Sequence, residues 1–193
     1  YPGEKPVISA GKPISNWNKN GNVWTTKVSD HNVEMLLANG KLQTLARTPN
    51  TGYFTPPSVS KTTGELPFKP GDIQNWENME DNRVTMLLRW HSGHNSFAKI
   101  DEEKGIAYFK TPQDGVVIVP PRYFVENVKA LLDAPGEWYF DKTNKELSFI
   151  PGDEITNPNN ENIYSSQLEQ LISIKGEKEK PVRNLRFYGL TFE

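Results

Sequence analysis

The chain has 193 residues, room for one domain or one domain with a small attachment. Its 22 basic and 24 acidic residues leave a net charge of −2, so nucleic acid, which needs concentrated positive charge, is not an expected partner. A 35% hydrophobic share with 11% aromatic residues, 15 Pro and 14 Gly suits a loop-rich β domain with a ring-filled core and does not suit a helical bundle.

A turn and a short strand at Val7 to Ser9 come first, then a β-branched strand over Asn22 to Val28. Asn39-Gly40 between the apolar runs Val33 to Ala38 and Lys41 to Arg47 predicts a hairpin. From Thr48 to about Glu80, five prolines predict a long loop pinned at Phe54, Phe68 and Trp76. Strands are expected again at Arg83 to Trp90, Ser96 to Asp101 and Gly105 to Lys110. Phe124, Val128 and Leu131 recur at helical spacing, which predicts one short α-helix over Tyr123 to Asp133, stopped by Pro135-Gly136. A second hairpin follows, Glu137 to Asp141 and Glu146 to Ile150, each strand with one apolar face. Residues 158–162 read as a loop, and the last strands as Gln170 to Lys175 and Leu185 to Phe192, joined by a charged turn.

Both termini carry short alternating strands broken by turns, in the manner of solenoid coils, which need about three repeats to be stable. The ends are therefore expected to belong to a larger stack, with the middle inserted between its coils. No Met and no signal peptide open the chain, and both ends read as cut. No apolar run approaches the roughly 20 residues of a membrane span. Zero cysteines excludes disulfides, thiolate metal sites and a cysteine nucleophile, and leaves the compartment open.

Several segments resemble one family. Tyr1-Pro-Gly-Glu-Lys-Pro-Val-Ile-Ser-Ala-Gly is similar to an early coil of right-handed parallel β-helix glycoside hydrolases, especially those similar to glycoside hydrolase family 141. The stretches Ala38 to Asn50, Val125 to Asp141 and Leu147 to Gly152 resemble the domain inserted between early coils of such enzymes, and Val182 to Glu193 resembles the return into the helix. The resemblance implies a mainly β fold: a small β-barrel or β-sandwich insertion domain with one short α-helix, flanked by β-helix fragments. It divides the chain into 1–11 (coil fragment), 12–181 (inserted β-rich accessory domain) and 182–193 (returning coil). It also implies an exported bacterial parent (secreted, periplasmic or at the cell surface) that degrades polysaccharide, with its catalytic carboxylates beyond Glu193. Glycosidases usually need two carboxyl groups roughly 5–10 Å apart. Stacked coils spaced roughly 4.8 Å apart can supply such pairs, but coil fragments cannot, so no complete active site and no catalytic residue are expected here.

The expected function is a non-catalytic accessory domain that shapes the parent's substrate cleft or its assembly. The rest of the parent enzyme is its expected partner, together with a polysaccharide or oligosaccharide. Open alternatives are an autonomous carbohydrate-binding module, a structural cap on the β-helix end, and an accessory domain of a β-helix polysaccharide lyase, since fold does not separate those chemistries.

Candidate substrate contacts are Arg47 and Asn50, at the mouth of the long loop, and Trp90, His91 and His94. Arg suits bidentate contact with a uronate, but Arg47 can equally order its loop through backbone carbonyls. The two histidines sit beside Gly93 in an expected loop, and a zinc site would need further ligands that the sequence does not supply, so no metal and no cofactor are expected. Glu137 and Asp141 share a strand face about 13 Å apart, too far for a catalytic dyad. Trp17, Trp24 and Trp76 could form a sugar-stacking strip, although core positions are favoured, as for Trp138.

Overall fold

The structure is a computed structural model that describes residues 3–60, 62–77, 79, 81–112, 120–168 and 170–192. The fold is mainly β, and among the described residues none of the five sheets closes into a barrel. Tyr1 and Glu193, the outermost residues of the two expected coil fragments, and Glu80, where the expected long loop ends, lie outside the described residues.

The organising element is the hairpin of Glu137–Asp141 and Glu146–Ile150. Its turn is held by the Asp141 carboxylate, which accepts from the backbone and the side-chain amide of Asn144, both at 2.8 Å. Alternation then sends successive residues to opposite faces. Trp138, Phe140, Leu147 and Phe149 enter one hydrophobic core, and Tyr139 enters the other. The hairpin is thus a partition buried on both sides, which explains its near-continuous apolar sequence.

On one side, Val23–Lys27 pairs with Glu146–Ile150 and extends the hairpin into a five-stranded sheet, which also contains Asn18–Asn20 and Thr44–Leu45. A four-stranded sheet of Gly11–Pro13, Ile163–Ser166, Leu36–Ala38 and Lys41–Leu42 packs over it, with Leu36, Ala38 and Ile163 meeting Trp17, Trp24 and Phe149. The Asn39-Gly40 hairpin forms as predicted, with positive φ at both turn residues (51° and 76°).

On the other side, Val84 and Met86 of Arg83–Leu87 and Tyr123 and Val125 of Arg122–Glu126 face Leu66, Phe97, Ile100 and Ala107, which come from a three-stranded sheet of Glu65–Pro67, Phe97–Asp101 and Ile106–Phe109. The segment from Thr44 to Thr48 stitches the halves together. Leu45 packs on the first core and Ala46 lies inside the second, while the Ala46 N–H donates to Trp138 and its carbonyl accepts from Asn127. The expected long loop is pinned as foreseen, but it is not irregular throughout, since Glu65–Pro67 within it pairs as a strand with Ile106–Phe109. Phe68 is in the core, Phe54 pairs with Tyr123 through two backbone hydrogen bonds, and Trp76 packs at the edge.

Three expectations are corrected. The helix over Tyr123 to Asp133 is absent. Arg122–Glu126 is a strand paired with Arg83–Leu87 along five positions, and only a single 3-10 turn, Lys129–Leu131, follows it. The same residues satisfy two periods: Tyr123 and Val125 alternate into the core, and aromatic and β-branched side chains suit a strand that finds a partner on each side. Asn127 at φ 58° then breaks the run.

The expected loop around His91 and His94 is largely a strand. Ser92–Asn95 pairs with Arg83–Leu87 despite its polar sequence, because backbone pairing completes that edge. Finally, Gln170 to Lys175 forms no strand, and of Leu185 to Phe192 only Thr191–Phe192 does; it pairs in parallel with Val7–Ile8. Every residue from 172 to 189 is exposed, Ile174, Leu185, Phe187 and Tyr188 among them.

Candidate cleft and its hydrogen-bond relay

The four-stranded sheet of Ser92–Asn95, Arg83–Leu87, Arg122–Glu126 and Arg47–Thr48 gives its apolar face to the core. Its other face is polar. Strand register sets Arg83, Glu126 and Arg47 side by side in one row, and His94, Thr85 and Phe124 in the next.

Glu126, only 6% exposed, joins the rows. Its Oε1 accepts from Arg83 Nε at 2.7 Å and from Thr85 Oγ1 at 2.6 Å. Thr85 Oγ1 also lies 2.9 Å from His94 Nδ1. A hydroxyl has one proton, and a carboxylate can only accept. With that proton given to Glu126, the Thr85 oxygen must accept from Nδ1–H of His94. The neutral imidazole therefore carries its proton on Nδ1 and keeps the Nε2 lone pair free.

His94 and Arg83 both line a cleft of about 660 Å³ between the two halves of the fold, a size typical of small-molecule sites. Leu45, Trp138 and Phe140 form its apolar base, and His91 and Asn95 stand on its wall. Asp81 and Lys142 sit at its rim 3.9 Å apart.

The residues expected from sequence are thus divided. His91 and His94 reach the cleft, while Trp90 projects from the adjoining turn, 87% exposed, with the Arg89 guanidinium beside its ring. Arg47 and Asn50 do not line the cleft. Arg47 donates to the carbonyls of Pro49 (2.9 Å) and Gly52 (2.6 Å) and lies 3.8 Å over the Phe124 ring, so its planar group orders the loop. Asn50 donates to Asp133 at 2.8 Å. Arg83, Thr85 and Glu126 were not legible as site residues. The only signal was a carboxylate within the apolar run Tyr-Phe-Val-Glu-Asn-Val.

Two other polar groups are structural. Glu137 is 2% exposed, and its carboxylate accepts from the backbone N–H groups of Asp133, Ala134 and Arg47, tying the hairpin to both neighbouring segments. Burial still pushes its carboxyl above the usual range, against the lowering effect of those three bonds. His31 contacts Asp30 (2.8 Å) and Ser165 (2.5 Å). Burial lowers its pKa, with Lys12 and Lys145 adding to the effect. The supposed tryptophan strip does not exist: Trp17 and Trp24 are in the first core and Trp76 packs against the second. Among the described residues, no three of His, Asp and Glu are grouped to hold a metal ion, and no helix is long and apolar enough to cross a membrane.

Comparison of the sequence with known protein families gives no match, and comparison with curated proteins gives none either. The fold is similar to that of a solved glycoside hydrolase, with a TM-score of 0.82 and 21% identity, over 98% of this chain and 37% of the other. The likeness shows the fold, and this chain spans little more than a third of that protein's length.

Proposed function

We propose that the chain is a non-catalytic accessory domain of an exported β-helix glycoside hydrolase similar to family 141, with residues 12–181 inserted between coil fragments 1–11 and 182–193. Its role is to wall the substrate cleft or mediate assembly beside the catalytic helix. The observation that carries this reading is the parallel pairing of Val7–Ile8 with Thr191–Phe192, set among exposed apolar side chains at Val182, Leu185 and Phe187. Parallel strands side by side are what adjoining solenoid coils present, and a coil cannot bury its own apolar face. The fold shared with a glycoside hydrolase over 98% of this chain supports the same reading. The autonomous-module alternative draws no such support, since three of the tryptophans that could bind sugar (Trp17, Trp24 and Trp138) are buried.

The test is removal of residues 12–181 from the full-length protein, with a short linker between the flanking strands. Polysaccharide-degrading activity, thermal stability or oligomeric state should change. If all three are unchanged, the accessory role is wrong. An unsaturated sugar among the products would move the parent to the lyases.

A further inference from the structure

We propose that the cleft is a binding site for a neutral saccharide, gripped by His94 as acceptor and Arg83 as donor, with Glu126 positioning both. The choice of a saccharide rests on the glycoside-hydrolase reading above; the hydrogen-bonding demand comes from the geometry. His94 and Arg83 stand on neighbouring strands, on one sheet face, and both reach the same cavity. One carboxylate holds them: Arg83 directly through Nε, and His94 through the Thr85 hydroxyl. In the neutral imidazole that arrangement leaves His94 Nε2 to accept. The Arg83 Nη groups, which have no hydrogen-bond partner among the described residues, remain as donors. An acceptor beside a donor suits two adjacent sugar hydroxyls, one giving a proton and the other receiving one. It does not suit a carboxylate or phosphate, which asks for donors at every oxygen.

The charge of the cleft points the same way. Among the described residues, three cationic side chains line it, Arg83, Lys110 and Lys142. They meet three carboxylates: Glu34 and Asp81 in the lining, and Glu126 directly behind Arg83. A balanced cleft offers an anion no net attraction. Partly buried Leu45 gives the lining an apolar patch for the C–H face of a sugar ring, and Asn95 adds a further polar group.

The experiment is calorimetric titration of the full-length protein with cellobiose, xylobiose and mannobiose, and with digalacturonate as the acidic counterpart. At least one neutral disaccharide should bind, and digalacturonate should bind about tenfold more weakly or not at all. Thr85→Val keeps the shape of the side chain but cuts the relay, and His94→Phe keeps a ring without an acceptor. Each should weaken binding by about tenfold, the loss of one hydrogen bond of about 1.4 kcal/mol. His94 is exposed, so its variant tests the site even if Thr85→Val unfolds. The proposal is overturned if no neutral disaccharide binds, if digalacturonate binds tighter, or if His94→Phe binds like the wild type. A deletion phenotype without saccharide binding would sink this proposal alone. Saccharide binding without a deletion phenotype would sink the accessory role alone.

Discussion

The body of the molecule and its C-terminal stretch treat the same kinds of side chain in opposite ways. In the body, Phe140 and Phe149 are closed between sheets at 1% and 0% exposure, whereas Phe187 and Tyr188 lie open at 50% and 82%. The difference is not composition, since both regions are rich in large apolar residues. It is whether a second layer is present to cover them. The body supplies its own second layers, because the Glu137–Ile150 hairpin serves two cores at once. Among the described residues, the stretch 172–189 has none.

That contrast can be broken or sharpened by substitution. The largest effect should come from Phe140→Ala, a cavity beneath the central hairpin that should lower unfolding free energy by about 3–5 kcal/mol in chemical denaturation. Glu137→Ala comes next. It strands three backbone donors against a core and should be worth about 1–3 kcal/mol in the same assay; a neutral result would mean that water reaches those donors.

A smaller effect concerns pH. The folded pKa of His31 lies below its ordinary 6.5, so its contribution is complete above that value and is lost as pH falls towards the folded pKa. Acidification through that window should destabilise the wild type more than His31→Gln, read as a difference between their stability–pH curves. Equal slopes would show that folding leaves the ring's pKa unchanged, and the opposite difference would show that Asp30 keeps the ring charged in the fold. The smallest effect belongs to Phe187→Ala, within about 0.5 kcal/mol in the isolated chain. The same substitution in the full-length protein should be clearly destabilising if further coils cover that face. If it is silent there as well, the contrast between body and tail has another cause.

Much of the body was legible because local chemistry and tertiary need agree there. Asn39-Gly40 has to take positive φ at both positions, and the central hairpin announces itself by alternation. The failures fell where the two diverge. Phe124, Val128 and Leu131 fit a helical period, yet the residues up to Glu126 were claimed by partner strands distant in sequence. Ser92–Asn95 carries no apolar signal at all; its pairing with Arg83–Leu87 makes it a strand. The candidate site suffers most from this. His91 and His94 could be singled out by residue type. The link from Glu126 through Thr85 to His94 exists only because three strands stand in one register, and register is a relation between segments that no single stretch of sequence states.

The parallel contact between Val7–Ile8 and Thr191–Phe192 has a geometric corollary. Everything between Ile8 and Thr191 is a detour that departs and rejoins the path one strand spacing over, roughly 4.8 Å away and heading in the same direction. Segments attached to these two strands would register the detour as a single sideways step, whatever its contents. On the insertion reading proposed above, such a doorway would let the body be lengthened, trimmed or exchanged while the step stays fixed.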